Sequence, residues 1–158
     1  MSRLLQRSTT LSIAAAIVLI DQLSKAGLSA ILVDGRSIPA IPEILSLQLV
    51  HNSGAAFSLF SGSTELLGLL SLLVSLGILV WIGRQRAIPF WQGLATACLL
   101  GGTLGNGLDR WRLGYVVDFL ALVPINFPIF NAADIAINFA VLCFGIDLWL
   151  NRHDGDHA

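Results

Sequence analysis

Four aspartates beside long apolar runs are the residues of this chain best suited to chemistry. They are Asp21, Asp109, Asp118 and Asp134. An ionisable side chain at membrane depth is costly, so it usually faces the interior of a helix bundle or a wet cavity and marks a functional site. Asp118 and Asp134 have apolar neighbours on both sides, in the stretches VVDFL and NAADIAI. These two are therefore the best candidates for a working pair.

Two carboxyl groups that lie close together cannot both ionise at low cost, so one of them keeps a proton. The ionised carboxylate can then take a proton from a water molecule, while the protonated one donates to a carbonyl oxygen. Such a pair hydrolyses a peptide bond without a metal ion or a covalent intermediate. The spacing of the aspartates does not by itself decide which two would pair.

Other catalytic arrangements have little support in the sequence. It contains no HExxH motif, no P-loop and no second histidine in the region of His51. Ser24 and Lys25 are adjacent, so on a helix they point about 100° apart, which disfavours a direct Ser–Lys bond. Cys98 and Cys143 are spaced for neither a zinc site nor a disulfide framework and are interpreted as packing residues. We expect no metal and no cofactor.

The composition is typical of a membrane protein. Apolar residues make up 55% of the 158 residues and charged residues 12%, whereas a soluble domain averages roughly 25% charged residues. The net charge of −1 and the lack of a basic stripe give no indication of nucleic-acid binding. The length predicts a single domain over residues 1–158.

Four apolar segments are long enough to cross a bilayer, since a spanning helix needs about 20 residues. They are residues 8–28, 66–83, 87–108 and 131–150. The first resembles a cleavable signal peptide, but it continues into Asp21 without a clear cleavage site, so we interpret it as a retained span. The predicted fold is thus mainly α, a polytopic membrane protein with four transmembrane helices.

The distribution of arginines predicts the orientation, because basic residues favour the cytoplasmic ends of spans. Five of them fall on one side of a four-span topology, namely Arg3, Arg7, Arg84, Arg86 and Arg152. Both termini should therefore be cytoplasmic. The outer connections contain alternation at residues 45–49 and a β-branched, aromatic stretch, GYVVDFLALV, which predict a small outer β-sheet.

This topology brings polar residues from separate parts of the chain to one level, the outer membrane interface. They are Asp21, Lys25, Asn52, Asn106, Asp109, Arg110, Asp118, Asn131 and Asp134. Several also have structural interpretations. Asp21 and Lys25, one turn apart on a helix, can form a structural ion pair. Asp109 with Arg110 can anchor a helix end at the interface, and Asp134 can stabilise a helix N-terminus.

Two functions other than peptidase activity fit a polytopic chain of this kind. A proton-coupled transporter would use the carboxylates as a relay, but it needs polar groups through the full membrane depth, and residues 66–100 offer few. A non-catalytic assembly factor would use glycine-rich helix faces for packing. That function does not need two desolvated aspartates.

Five stretches, in order along the chain, resemble the lipoprotein signal peptidase family, also called signal peptidase II, an aspartic membrane protease of bacteria. They are DQLSK at 21–25, NSGAAFS at 52–58, GGTLGNGLDR at 101–110, VVDFL at 116–120 and FNAAD at 130–134. Each stretch alone is weak, but five in order are specific. Three positions depart from the family pattern, namely Gly107, Phe127 and Ile135, and none of them is an aspartate.

The resemblance implies that Asp118 and Asp134 form the catalytic dyad. It implies supporting or substrate-binding positions for Asn52, Asn106, Arg110, Asn131, Asp21 and Lys25. The implied substrate is a prolipoprotein whose cysteine already carries diacylglycerol, cut before that cysteine at the outer face of the bacterial cytoplasmic membrane. The expected partners are this substrate and membrane lipids, and the expected oligomeric state is a monomer.

Overall fold

The computed structural model describes residues 3–33, 35–54 and 63–155, with side chains described as far as residue 152. It is mainly helical, as predicted. Its long helices are α1 (Arg7–Ile31), α2 (Thr64–Arg84), α3 (Phe90–Leu113) and α4 (Ala132–Gly155). Its strands are β1 (Leu4–Gln6), β2 (Ser37–Ile41), β3 (Leu45–Asn52), β4 (Ala87–Pro89) and β5 (Val116–Leu122).

Three of the helices in the described residues, α1, α2 and α4, are long and apolar enough to cross a membrane. The helix α2 has no charge between Glu65 in its first turn and Arg84 in its last, and both charges suit the helix dipole. The fourth helix, α3, is as long but carries more polar and glycine residues. It packs against each of the other three helices, whereas α2 packs chiefly on α3.

Small residues let α3 lie in the centre of the bundle. A β-carbon on Gly101 would come within 2.7 Å of Ile17 on α1, and one on Gly102 within 2.5 Å of the Ala133 carbonyl oxygen on α4. Gly101 therefore allows close contact between α3 and α1, and Gly102 allows close contact between α3 and α4. Gly114, with φ of 81°, ends α3 in the left-handed conformation that favours glycine.

The start of α3 differs from the prediction, which began the third apolar segment at residue 87. Ala87–Pro89 instead forms β4, which pairs with the N-terminal strand β1. The Phe90 N–H donates to the Arg3 carbonyl, and the Arg3 guanidinium lies over the Phe90 ring at 5.1 Å. This two-stranded sheet, which the sequence analysis did not predict, ties the N-terminus to the short turn between α2 and α3.

The small β-sheet that the sequence predicts is present as three antiparallel strands in the order β2–β3–β5. Its register places Val50 opposite Asp118 and Asn52 opposite Val116. Because side chains alternate along a strand, Asn52 and Asp118 share one face, and His51 shares the other face with Val117. His51 lies in β3, with its ring 4.5 Å from that of Tyr115.

A single bridge returns the chain from the loop after β5 to the sheet. The Leu120 N–H donates to the Phe130 carbonyl at 2.8 Å, and the Phe130 N–H donates back to Leu120 at 3.0 Å. Helix α4 starts two residues later, at Ala132. The bridge therefore holds the first turn of α4 beside the middle of β5.

Candidate active site

Asp118 lies in the middle of β5 and is 2% exposed. Asn52 donates to its Oδ2 at 2.9 Å and Asn131 to its Oδ1 at 2.6 Å. Burial raises the pKa of Asp118 to about 6, and the charge of Asp134 adds to the rise, against the two hydrogen bonds and the charge of Lys25. The carboxyl group can therefore exchange a proton near neutral pH.

Asp134 lies in the first turn of α4 and takes part in a reciprocal helix cap. The Asn131 side-chain oxygen accepts the Asp134 N–H at 3.0 Å, and the Asp134 Oδ2 accepts the Asn131 N–H at 3.1 Å. This is the geometry of a capping box, with an aspartate at its third helical position. The helix-terminus interpretation of Asp134 is thus correct, and it does not compete with a role in the site.

Two asparagines connect the two aspartates. Asn131, which is fully buried, touches Asp118 with its side chain and Asp134 with its main chain. Asn106 donates to the Asp134 Oδ1 at 2.8 Å, while its own Oδ1 accepts from Asn131 at 3.0 Å. Each oxygen of both carboxyl groups therefore has a defined donor.

Behind the aspartate pair lies a buried ionic cluster, which we call the triad, of Asp21, Lys25 and Asp109. The Lys25 Nζ is 2.9 Å from the Asp21 Oδ2 and 2.9 Å from the Asp109 Oδ2. The third hydrogen bond of Lys25 goes to the Asn106 Oδ1 at 3.0 Å. The predicted Asp21–Lys25 ion pair is thus present, and Lys25 also pairs with a second carboxylate, that of Asp109.

Arg110 extends the site toward the outer connection. Its guanidinium donates to the Gly54 carbonyl at 3.2 Å and interacts electrostatically with Asp134 and Asp118. Its Nε is buried and has no hydrogen-bond partner within the described ranges. Arg110 also lines the cavity that both aspartates line.

The two faces of the sheet adjoin two separate cavities of about 490 Å³ each. The first contains both aspartates, and it is also lined by Asn52, Asn106, Arg110, Val116, Leu122, Phe127, Pro128, Ile129, Phe130, Ile135, Ile137 and Asn138. Its walls are thus mostly apolar around a polar centre. The second cavity lies against the other face and reaches Lys25, Asp109, His51 and Tyr115.

The structure brings together all eight residues that the sequence analysis assigned to the site. It adds Gln22, which donates to the Asp109 Oδ1 at 2.9 Å, and it places Asp109, for which the sequence also allowed an interface anchor, in the same cluster. Asp109 is 2% exposed and ion-paired, so it does not anchor a helix end in the interface. Gln22 lies in the DQLSK stretch, and this position is the one feature of the sequence that could have indicated its place in the site. Residues 55–58 of NSGAAFS lie outside the described residues.

Two of the three departures from the family pattern, Phe127 and Ile135, line the first cavity. The third, Gly107, lies where a β-carbon would be 3.1 Å from Ser71 and 3.2 Å from the Trp111 ring. The Trp111 indole also donates to the Gly68 carbonyl at 3.0 Å. Gly107 therefore makes room for a tryptophan that joins α3 to α2.

Among the residues that the structure describes, no group of three His, Cys, Asp or Glu side chains could hold a metal ion. Cys98 and Cys143 are buried free thiols, in agreement with the packing interpretation.

Comparisons with known proteins identify the family and the fold of this chain. The family model of signal peptidase (SPase) II matches residues 13–150. A lipoprotein signal peptidase of Parasynechococcus marenigrum is 60% identical over 98% of both chains. A lipoprotein signal peptidase of Pseudomonas aeruginosa is 37% identical over 90% of this chain and 88% of that one. Among solved structures, a bacterial membrane enzyme determined by the in meso method superposes with a TM-score of 0.87 at 27% identity, over 98% of this chain and 95% of the other.

Proposed function

This chain belongs to the signal peptidase II family, and we propose that Asp118 and Asp134 are the catalytic dyad with which it hydrolyses its substrate. A signal peptidase II removes the signal peptide from prolipoproteins, so the chain is a membrane-bound peptidase. Membership of this family favours peptidase activity over the two other functions that the sequence allowed, a proton-coupled transporter and a non-catalytic assembly factor. The observation that carries the dyad is that one residue, Asn131, hydrogen-bonds both carboxyl groups at the wall of one cavity.

The reaction follows from a dyad that shares one proton. The ionised carboxylate accepts a proton from water as the water oxygen bonds to the carbonyl carbon of the peptide. The protonated carboxyl group donates to the carbonyl oxygen, so the tetrahedral intermediate forms without a full oxyanion. Its collapse breaks the C–N bond, and a proton passes to the leaving nitrogen.

The supporting residues have distinct roles in this proposal. Asn131 and Asn106 hold the two carboxyl groups by amide hydrogen bonds, and Asn52 holds the outer side of Asp118. Arg110 lines the cavity of the two aspartates, so its guanidinium can donate to a carbonyl oxygen of the substrate backbone. Asp21 and Lys25 act indirectly, through the hydrogen bond from Lys25 to the Asn106 Oδ1.

The substrate that we propose is a prolipoprotein whose cysteine carries diacylglycerol, with the cut before that cysteine. The apolar walls of the first cavity, which include Leu122, Phe127 and Ile135, suit acyl chains or an apolar signal peptide. Such a substrate lies partly in the bilayer and presents its scissile bond at the interface. A site at one end of the helix bundle, beside the sheet, supports this assignment.

We further propose that α3 crosses the membrane with the other three helices, with both termini cytoplasmic and the dyad at the outer leaflet. Arg3, Arg84 and Arg86 cluster at the β1–β4 end of the bundle, opposite the end that carries the dyad. A single cysteine introduced by Ser37→Cys should react with a membrane-impermeant maleimide in intact spheroplasts. Labelling of Ser37→Cys only after permeabilisation would reverse the orientation.

The dyad is tested with Asp118→Asn and Asp134→Asn in a cleavage assay with a lipid-modified precursor. Each variant should lose about 1000-fold or more in kcat, because amide side chains cannot transfer the proton. The matched control is Asp147→Asn on α4, whose carboxylate is bonded by Asn151, one turn further along that helix. Near-normal cleavage by either dyad variant would contradict the assignment.

A further inference from the structure

Both carboxylates of the triad reach the main chain beside the proposed dyad. The Asp21 Oδ1 accepts the Ala133 N–H at 2.9 Å, one residue before Asp134. The Asp109 Oδ2 accepts the Val117 N–H at 3.1 Å, one residue before Asp118. Lys25 joins these two carboxylates at 2.9 Å each. The same arrangement thus occurs twice, once for each catalytic segment.

We propose that Asp21, Lys25 and Asp109 are positioning residues that fix the segments carrying Asp118 and Asp134 relative to each other. This inference rests on the proposed function, since it assigns the triad to that dyad. None of the three needs to touch the substrate. Their task is to set the distance and angle between a strand and a helix that are joined by a nine-residue connection, residues 123–131.

Simple packing does not account for the triad. A buried ion pair is weak evidence of stabilisation, because removing its charges from water offsets most of their attraction. Nevertheless, α1 buries only four residues, and two of them are Asp21 and Lys25, beside Thr10 and Ala14. Its fully buried contacts near the dyad are therefore ionic, and the bonds end on two specific main-chain N–H groups.

Lys25 also fixes the orientation of Asn106. An ammonium group has three donors, and those of Lys25 go to Asp21, Asp109 and the Asn106 Oδ1. Asn131 donates to the same Asn106 oxygen. A flipped Asn106 amide would direct its NH₂ at two donors, so the NH₂ has to face Asp134, where it donates at 2.8 Å.

The triad has an electrostatic consequence for the dyad as well. Two carboxylates and one ammonium leave it with one net negative charge. The charged groups that face Asp118 are Lys25 from α1, Arg110 from α3 and Asp134 from α4, with Asp21 and Asp109 behind Lys25. The positive charge of Lys25 lowers the pKa of Asp118. Its removal should therefore move the pH dependence, which loss of packing alone would not.

The test uses the full chain in lipid nanodiscs, with Lys25→Met as the main variant. We expect kcat to fall about 100-fold, as for a small misplacement of catalytic groups, with KM within about threefold of wild type. The limb of the pH profile that reports Asp118 should move to higher pH. The control is Ser24→Ala, whose hydroxyl donates within its own helix, to the Asp21 carbonyl. A folded Lys25→Met protein with wild-type kcat and pH profile would overturn the proposal.

A second variant covers the case in which Lys25→Met does not fold. Asp109→Asn keeps an oxygen for the Val117 N–H but loses the charge that Lys25 binds. Its kcat should fall about tenfold, and Lys25→Arg, which keeps the positive charge, should retain more activity than Lys25→Met. Wild-type kcat in folded Asp109→Asn would by itself refute the positioning role.

Amide hydrogen exchange separates this inference from the proposed function. Lys25→Met should accelerate exchange at Ala133 and Val117, whether or not the enzyme is active, while Ser24→Ala leaves it unchanged. Unchanged exchange at both N–H groups in Lys25→Met counts against the triad. Cleavage by Asp118→Asn, in contrast, counts against the dyad and leaves the exchange result standing.

Discussion

Asn131 donates its side-chain amide to the Asp118 carboxylate over 2.6 Å, the shortest hydrogen bond of the site. The same residue caps α4 through a reciprocal pair of bonds with Asp134. One side chain therefore starts the helix that carries one aspartate and holds the aspartate of the neighbouring strand. The Oδ1 and the main-chain N of Asn131 form the cap of α4, and its Nδ2 holds Asp118.

The two roles of Asn131 can be separated by comparing two substitutions. Serine is as good an N-cap as asparagine but is too short to replace the amide that reaches Asp118, whereas alanine does neither. Asn131→Ser should keep the cap, and therefore a higher Tm than Asn131→Ala, and lose about tenfold or more in kcat. Asn131→Ala should lose activity and also about 0.5–2 kcal/mol of stability. Equal activity in wild type and Asn131→Ser would show that the bond to Asp118 is dispensable.

The pH dependence of cleavage should have one limb near pH 6, because burial raises the pKa of Asp118 to about 6. The hydrogen bond from Asn52 stabilises the ionised form, so it lowers the pKa of this group. Asn52→Leu should therefore move that limb to higher pH. The measurement is kcat/KM from pH 4.5 to 8.5 for both proteins. A shift to lower pH in Asn52→Leu would contradict the sign of this interaction.

Cleavage should continue after treatment with a metal chelator, because a carboxyl dyad activates water by proton transfer alone. The experiment compares initial rates before and after dialysis against EDTA, with a zinc peptidase treated in parallel as a control. Loss of activity that added zinc restores would point to a metal-assisted reaction instead.

The contact between α3 and α4 depends on the missing side chain at residue 102. In Gly102→Ala the new methyl group would lie 2.5 Å from the Ala133 carbonyl oxygen, so the helices have to separate beside Asp134. We expect a loss of about 1–3 kcal/mol in stability, seen as a lower Tm, together with lower kcat. The matched control is Gly77→Ala in α2, where a β-carbon meets nothing within 4 Å. Similar Tm values for the two variants would show that α3 and α4 have room to adjust.

Much of this protein was predictable from sequence because the relevant signals are local. The apolar segments at 8–28, 66–83 and 131–150 each correspond to a helix, and the alternation at 45–49 to part of β3. The candidate residues converge because helices that alternate in direction bring every second end to the same level. The capping box of α4 is also local, since Asn131 and Asp134 are three residues apart.

The prediction failed where a partner from far along the chain decides the structure. Ala87–Pro89 is apolar enough to extend α3, yet it pairs with residues 4–6 in β1. Asp109 is adjacent to Arg110 in sequence, yet it binds Lys25 and the Val117 N–H. Local sequence does not contain the relative register of two helices, which depends on how their surfaces pack.

The sequence by itself determined the membrane-spanning character, the helices and the residue types at one end of the bundle. These properties follow from hydropathy, periodicity and charge, which act over one or two helical turns. Only the tertiary structure decided that Lys25 joins Asp21 to Asp109, and that each of these carboxylates holds the residue before an aspartate of the proposed dyad. Hydrogen bonds need their atoms within about 3 Å, and only the packing of α1, α3, α4 and β5 brings these groups that close.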